Sequence, residues 1–148
     1  MKTLVLIPSR LSATRLPGKP LLKISGLSII SHVYKRAEKA DIGEVIVAAE
    51  DKEIVEDVKK NGGNAILTSK KNKTGTDRIY EALKILDRND VELIMNIQGD
   101  EPEIDITDIQ KLYNNMKNNN KARIGTLAAI ISDIKMYENK NIVKVKTK

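Results

Sequence analysis

Four short stretches of the chain are almost entirely apolar and have the length of β-strands: residues 3–8, 44–49, 64–67 and 92–97. None of them alternates apolar with polar positions, as a strand with one solvent-facing side would do. Unbroken apolar runs of this length are typical of strands that are covered on both faces of a sheet. We therefore predict four buried strands in this chain order.

The segments between these runs carry apolar residues at helical spacing. This spacing predicts helices at residues 28–40, from Asp51 to the glycines at 62 and 63, at 77–86 and at 107–118. Ser28 precedes the first apolar position of its helix and is placed to cap it. Two later apolar stretches, residues 124–130 and 141–146, are predicted to be further strands.

Buried strands that alternate with amphipathic helices predict an α/β fold with a doubly wound, mostly parallel, Rossmann-like sheet. If the first three strands wind in one direction and the fourth returns beside the first, a crevice opens between strands one and four. Ligands of such sheets bind in this crevice, beyond the carboxyl ends of the strands. The two loops that leave these strands are therefore expected to face each other.

Composition narrows the class of protein. A chain of 148 residues is long enough for one domain with a core, and without cysteine it has no disulfides and no thiolate metal sites. The first apolar run is too short for a signal peptide and no stretch approaches a membrane span, so we expect a cytoplasmic protein without membrane contact.

The net charge of +6 is concentrated at one end of the chain. Residues 111–148 hold nine Lys or Arg against two Asp or Glu, whereas residues 1–110 are nearly balanced. Tyr113 and Tyr137 are the only aromatic residues of this basic segment, and it contains no recognisable nucleic-acid-binding module. We therefore expect no nucleic-acid partner.

The first strand is followed by a loop rich in charge, "SRLSATRLPGK". Arg10 and Arg15 are able to fork onto phosphate oxygens, Lys19 adds a point charge, and Gly18 allows close backbone approach. The loop is not a Walker A motif, because proline rather than Ser or Thr follows Lys19. It is either a triphosphate-binding loop or a solvated basic surface loop.

The fourth strand is followed by "QGDEPEID", which places Asp100 beside Gly99 at the tip of a buried strand. A carboxylate in this position is a common ligand for Mg²⁺ held against phosphates, although an acidic surface turn gives the same pattern. The loop "TGTDR", residues 74–78, is placed either to read a base or to cap the following helix through Thr76 or Asp77. The lone His32 falls within a helix and has no nucleophile or acid–base partner in the pattern, which argues against hydrolase chemistry.

Taken in order, "IPSRLSATRLPGKPL", "TGTDR", "NIQGDEP" and "NIVKV" resemble the 3-deoxy-manno-octulosonate (KDO) cytidylyltransferase family, also called CMP-KDO synthetases. The resemblance implies a nucleotide-diphospho-sugar transferase type of fold. It also implies Mg²⁺-dependent activation of KDO by CTP, giving CMP-KDO and pyrophosphate for lipopolysaccharide assembly. The anomeric hydroxyl of KDO would attack the α-phosphate of CTP.

The resemblance also assigns roles to residues. It implies a catalytic set of Lys19, Arg15 and Asp100, with Asp100 as the metal ligand. The nucleotide-binding residues that it implies are Ser9, Arg10, Arg15, Lys19, Thr74, Gly75, Arg78 and Gln98.

The sequence departs from the family pattern in two ways. Ala13 stands where the phosphate loop usually has Ser, with Ser12 one place earlier. Family members also continue well beyond Lys148, into a part that holds the sugar-acid site, a second metal carboxylate and the dimer-forming segment. We therefore expect residues 1–148 to form a single nucleotide-binding domain, without the homodimer typical of the family. A non-catalytic CTP-binding remnant, a subunit of a split enzyme and a sialic-acid-type cytidylyltransferase are the alternatives.

Overall fold

The computed structural model describes residues 1–12 and 16–146. Within these residues the main sheet contains β1 (Thr3–Ser9), β4 (Glu44–Ala49), β5 (Ala65–Leu67) and β6 (Leu93–Asn96), and a small hairpin contains β2 (Lys23–Ile24) and β3 (Leu27–Ser28). The α-helices are α1 (Ile29–Lys39), α2 (Lys52–Lys60), α3 (Gly75–Leu86), α4 (Ile106–Asn118) and α5 (Ile134–Glu138). A 3₁₀ turn, Lys19–Leu21, precedes the hairpin.

The main sheet is parallel and has the order β5-β4-β1-β6. The first three long strands wind in one direction and the fourth returns beside the first, so the predicted topology and its crevice between the first and fourth strands are confirmed. β1 lies between β4 and β6, where Leu6 pairs with Ile46 on one side and with Asn96 on the other. The loops after β1 and β6 therefore leave the same edge of the sheet side by side.

Successive residues of β1 pack into the two apolar layers that cover the sheet. Val5 and Ile7 belong to the layer that includes residues of α1, α2 and α4, whereas Leu4 and Leu6 pack with residues of α3. All four side chains are fully buried. Each such side chain contributes about 1.5–3 kcal/mol relative to an exposed position, which explains why the run has no polar alternation.

Helix starts follow the expected local chemistry except at α2, where Asp51 makes no side-chain capping hydrogen bond, and at α3. The Ser28 hydroxyl accepts a hydrogen bond from the backbone N–H of Ser31, which confirms its predicted capping role at α1. α3 begins at Gly75, two residues before the predicted start, because its cap is Thr74 rather than Thr76 or Asp77.

The two late strands that the sequence predicts are not formed. Residues 124–130 and 141–146 have no regular secondary structure, and α5 lies between them. Ile124, Ile130 and Val143 are about nine-tenths exposed or more. An apolar run becomes a strand only where a neighbouring strand pairs with its backbone; no strand in the described part of the chain pairs with either segment. None of the helices described is long and apolar enough to cross a membrane.

Candidate functional site

A cleft of about 360 Å³ opens at the carboxyl ends of β1 and β6, where the topology predicts a ligand site. Residues from all three polar motifs line it: Ser9, Arg10 and Lys19 from the loop after β1, Thr74, Gly75 and Arg78 at the start of α3, and Gln98 and Asp100 from the loop after β6. Asn72 and Lys73, which the sequence analysis did not single out, also line the cleft. Arg15 and Ala13 lie outside the described residues.

Lys19 and Asp100 bridge the cleft. The Nζ of Lys19 lies 3.1 Å from the Oδ2 of Asp100, and both side chains remain partly exposed. Gly18 adopts a left-handed conformation, with φ of 73°, and its N–H donates to the carbonyl of Leu11 at 3.0 Å. This hydrogen bond joins Gly18 to Leu11, and Lys19 follows as the first residue of the 3₁₀ turn.

Gly99 places Asp100 at the cleft through close packing rather than through a left-handed turn. A Cβ atom at Gly99 would lie 2.8 Å from the backbone oxygen of Pro8 and 3.2 Å from the Cδ1 of Ile30. Only glycine therefore allows the chain leaving β6 to pass this close to the end of β1. The approach brings Asp100 opposite the basic loop.

Ser9 carries an unpaired polar atom at the wall of the cleft. The residue is only 7% exposed, and its Oγ has no hydrogen-bond partner among the described residues. A buried hydroxyl without a partner is unfavourable in a ligand-free protein, so such groups are uncommon and often have a functional reason. Because Ser9 lines the cleft, its hydroxyl is a candidate for a hydrogen bond to a bound molecule.

The loop before α3 is ordered by its own side chains. The Thr74 hydroxyl accepts the backbone N–H of Asp77, and the Asp77 carboxylate accepts the backbone N–H of Thr74, which together form a capping box. Before this loop, the N–H of Ser69 donates to both carboxylate oxygens of Glu81, at 3.1 and 3.0 Å. These contacts give the wall formed by residues 69–75 a defined conformation.

Arg78 is buried and paired within the protein. Its side chain is 3% exposed, its Nη2 forms an ion pair with Glu50, and its Nη1 donates to the Thr68 hydroxyl at 2.6 Å and to the carbonyl of Ser69 at 3.3 Å. Arg78 lines the cleft, but these contacts use much of its donor capacity. Its assignment to the nucleotide stays a prediction, and the structure adds a role in holding the loop.

Glu50 and Asp51 follow β4 and were not predicted from the sequence to contact the site. The Glu50 carboxylate pairs with Arg78, and the Asp51 carboxylate accepts the backbone N–H of Leu11 at 2.8 Å. Their position was a usable signal, because β4 ends at the same edge of the sheet as β1 and β6. His32 lies within α1, and its Nε2 donates to the carbonyl of Ile24 at 2.8 Å.

The side chains that line the cleft suit a metal ion that is bound jointly by the protein and a ligand. They suit a metal ion bound by protein alone less well. Asp100 is the only carboxylate among the described residues that line the cleft, and residues 1–12 and 16–146 contain no cluster of three or more His, Cys, Asp or Glu that could hold a metal. Mg²⁺ commonly uses one or two carboxylates together with phosphate oxygens and water. Asp100 suits that arrangement.

Charged residues also contact one another at the amino ends of β1 and β6, on the side of the sheet opposite the cleft. Hydrogen bonds from Lys2 and then from Arg88 hold the pKa of Asp90 well below its usual value of 3.8. Glu92 accepts the backbone N–H of Lys2, which lowers the pKa of Glu92 as well. These residues tie the amino end of β1 to the start of β6 and lie away from the cleft.

Comparisons with known proteins identify the family to which the chain belongs. The sequence matches the family described as cytidylyltransferase over residues 4–148. It is 42% identical over 147 residues to the 3-deoxy-manno-octulosonate cytidylyltransferase of Idiomarina loihiensis, covering 99% of this chain and 58% of that protein. The protein of the same name from Rhodopseudomonas palustris is 46% identical over 145 residues, which are 97% of this chain and 59% of the relative.

Two solved structures have the same fold. A CMP:2-keto-3-deoxy-manno-octonic acid synthetase complexed with CTP gives a TM-score of 0.75 at 38% identity, over 82% of this chain and 49% of that one. A cytidylyltransferase from Leptospira borgpetersenii gives 0.70 at 27% identity, over 82% and 51% of the two chains. The chain thus spans somewhat under three-fifths of the length of the curated relatives and half that of the solved structures.

Proposed function

The chain belongs to the cytidylyltransferase family, and we propose from this that it binds CTP in the cleft for the activation of KDO to CMP-KDO. The observation that carries the proposal is the meeting of Lys19 and Asp100, 3.1 Å apart, between two motifs that the family resemblance assigns to the nucleotide. The solved relative that contains CTP supports the choice of nucleotide. KDO as the acceptor is supported by the names of the curated relatives.

The triphosphate would lie along the basic loop. Arg10 and Lys19 offer positive charge at this wall, and we expect Arg15 to add a third cation. The unpaired Ser9 hydroxyl would hydrogen-bond to the bound nucleotide. Thr74, Gly75 and Gln98 line the remaining wall, where the nucleoside would be held by backbone and side-chain groups.

Mg²⁺ would be held by Asp100 and by phosphate oxygens, and when bound it would neutralise part of the phosphate charge. In the proposed reaction the anomeric oxygen of KDO forms a bond to the α-phosphorus of CTP. The bond from that phosphorus to the β-phosphate bridging oxygen breaks, pyrophosphate leaves with the bonding electrons, and the hydroxyl proton passes to solvent. The contribution of this chain is to orient the triphosphate and to stabilise the charge on the leaving group through Lys19 and the arginines.

The sugar acid is not assigned to any described residue. We propose that residues 1–148 supply the nucleotide half of the reaction, as a single domain. We further propose that the reaction takes place in the cytoplasm, where CTP is made, and that lipopolysaccharide assembly consumes its product.

Calorimetric titration of the chain with CTP, with and without Mg²⁺, tests the binding step. We expect CTP to bind more tightly than GTP, and we expect Lys19→Met to weaken CTP binding by about tenfold or more through loss of a charge on the phosphates. Lys23→Met, which removes an exposed lysine of β2 outside the cleft, is the matched control. Absence of CTP binding by a folded chain would overturn the proposal.

Release of pyrophosphate from CTP and KDO tests the chemical step. Turnover by the chain supports the full proposal. Binding of CTP without turnover would refute activation by this chain and leave the nucleotide-binding function in place.

A further inference from the structure

Two consecutive carboxylates, Glu50 and Asp51, follow β4. Each contacts a different wall of the cleft: one wall is the loop after β1, and the other is formed by residues 69–75. β4 lies directly beside β1 and β5, so residues that follow it emerge between the loop after β1 and the segment after β5. Both side chains are largely buried, with 10% of Glu50 and 13% of Asp51 exposed. Largely buried carboxylates next to a binding cleft require partners, and their partners differ.

Glu50 contacts the wall that precedes α3. Its carboxylate pairs with Arg78, and Arg78 in turn donates to the Thr68 hydroxyl and the Ser69 carbonyl. The Thr68 hydroxyl donates to the carbonyl of Ala49 at 2.9 Å, which ties this group back to the end of β4. A buried guanidinium that loses its carboxylate is left uncompensated, so the wall at Thr68 and Ser69 depends on Glu50.

Asp51 contacts the basic loop, the loop after β1. Its Oδ2 accepts the N–H of Leu11 at 2.8 Å, and the Leu11 carbonyl accepts the N–H of Gly18, the residue before Lys19. Asp51 occupies the cap position of α2, yet its side chain makes no capping hydrogen bond to that helix. Its Oδ1 lies 3.8 Å from the exposed Nζ of Lys70. The shorter contact of Asp51 is therefore to the basic loop.

Two longer contacts join the arrangements, and one of them is the 3.8 Å ion pair of Asp51 with Lys70 of the wall before α3. The Ser12 hydroxyl donates to Glu50 at 3.4 Å, which is at the long end of hydrogen-bond distances. Each carboxylate thus has its short contacts on a different wall of the cleft.

We propose that Glu50 and Asp51 are positioning residues with separate tasks: Glu50 holds the wall at the nucleoside end of the cleft, and Asp51 holds the loop at the triphosphate end. This division rests on the proposed function for the identity of the ligand, whereas the contacts on which it depends are independent of any ligand. Holding both loops in place before binding reduces the ordering that the nucleotide has to induce.

Amide hydrogen exchange of the ligand-free chain tests the division without any ligand. Glu50→Gln keeps the size of the side chain and removes its charge, and we expect faster exchange at Thr68 and Ser69 with little change at Leu11. Asp51→Ala removes the acceptor of the Leu11 N–H, and we expect the opposite pattern. Asp51→Asn retains an acceptor oxygen and is expected to restore much of the protection at Leu11.

A second variant covers the case in which Glu50→Gln fails to fold. Thr68→Val preserves shape and charge but removes the hydroxyl that Arg78 contacts, and we expect it to increase exchange at Ser69 in the same direction. Normal protection of Ser69 in this variant would overturn the role of Glu50, and so would normal protection of Thr68 and Ser69 in a folded Glu50→Gln chain.

Titration with CMP and with tripolyphosphate, which represent the two ends of CTP, tests the functional consequence. We expect Glu50→Gln to weaken CMP binding about fivefold or more and to change tripolyphosphate binding less than about twofold, and Asp51→Ala to show the reverse. A general loss of structure would weaken both ligands together, and equal losses would overturn the division. A wild-type chain that binds neither these ligands nor CTP would defeat the proposed function, while the exchange data would still decide the roles of the two carboxylates.

Discussion

The Nζ of Lys19 and the Oδ2 of Asp100 lie 3.1 Å apart, although 81 residues separate them in the chain. The sheet order brings them together, because β1 and β6 are neighbours and both loops leave the carboxyl edge. The pair is partly exposed, so it adds little to the stability of the fold. Its significance is that a cation and a carboxylate meet at one point of the cleft.

Asp100→Asn is expected to remove the effect of Mg²⁺ on CTP binding. We expect Mg²⁺ to strengthen CTP binding by the wild-type chain about tenfold and to change binding by the variant less than about twofold, because the amide is a poor ligand for a hard cation. Calorimetric titration at fixed CTP and varied Mg²⁺ measures the difference. Glu101→Gln, at the adjacent exposed carboxylate, is the control. The same Mg²⁺ effect in Asp100→Asn as in the wild type would exclude Asp100 as the metal ligand.

Gly99→Ala is expected to destabilise the chain and to displace Asp100. The new Cβ would lie 2.8 Å from the Pro8 backbone oxygen, which cannot move without disturbing β1. Overpacking of this kind costs about 1–3 kcal/mol, measurable as a lower urea midpoint.

Gly75→Ala is the matched control for this experiment. A Cβ at Gly75 also meets Pro8, but it meets the side-chain Cγ at 3.3 Å, which is able to adjust. Gly75 is in addition the first residue of α3, where alanine is favourable. Equal destabilisation by the two substitutions would contradict the backbone clash at Gly99.

Acid is expected to weaken the fold partly through Asp90. Its folded pKa lies below the ordinary value of 3.8 because of hydrogen bonds from Lys2 and Arg88. A lowered folded pKa stabilises the protein above the unfolded pKa, and this contribution is lost as the pH falls through 3.8 and below. The urea midpoint of the wild type should therefore fall more steeply below pH 4, as an approximate boundary, than that of Asp90→Asn. Glu56→Gln, an exposed position of α2, should follow the wild type, and parallel curves for Asp90→Asn and the wild type would refute the argument.

The sequence was sufficient to predict the elements whose burial is complete. β4 has the predicted bounds because residues 44–49 are buried at all positions except the first, so composition alone marks the strand. The neighbouring position of the two loops followed from strand order and right-handed crossovers. Residues 124–130 show the limit of the same reasoning, because an apolar run does not specify which strand will pair with it.

The ion pair of Glu50 and Arg78 shows a second limit. Both residues are charged and would be assigned to the surface by composition, yet Arg78 is 3% exposed. Burial of each side chain depends on the presence of the other, and 28 residues separate them. A pair of this kind is fixed by the meeting of β4 and α3 in space, which no local pattern encodes.

Ser9→Ala is expected to affect stability and binding in opposite directions. The Ser9 hydroxyl is buried without a partner, so its removal should leave the urea midpoint of the ligand-free chain unchanged or raise it, by up to about 1 kcal/mol. CTP binding should weaken severalfold, since the nucleotide loses its partner in the wall of the cleft. Ser28→Ala is the control, because Ser28 is also buried but its hydroxyl contacts Asp57 and the backbone N–H of Ser31. Its removal should cost about 1 kcal/mol and leave CTP binding unchanged. Unchanged CTP affinity in Ser9→Ala would show that the hydroxyl does not contact the nucleotide.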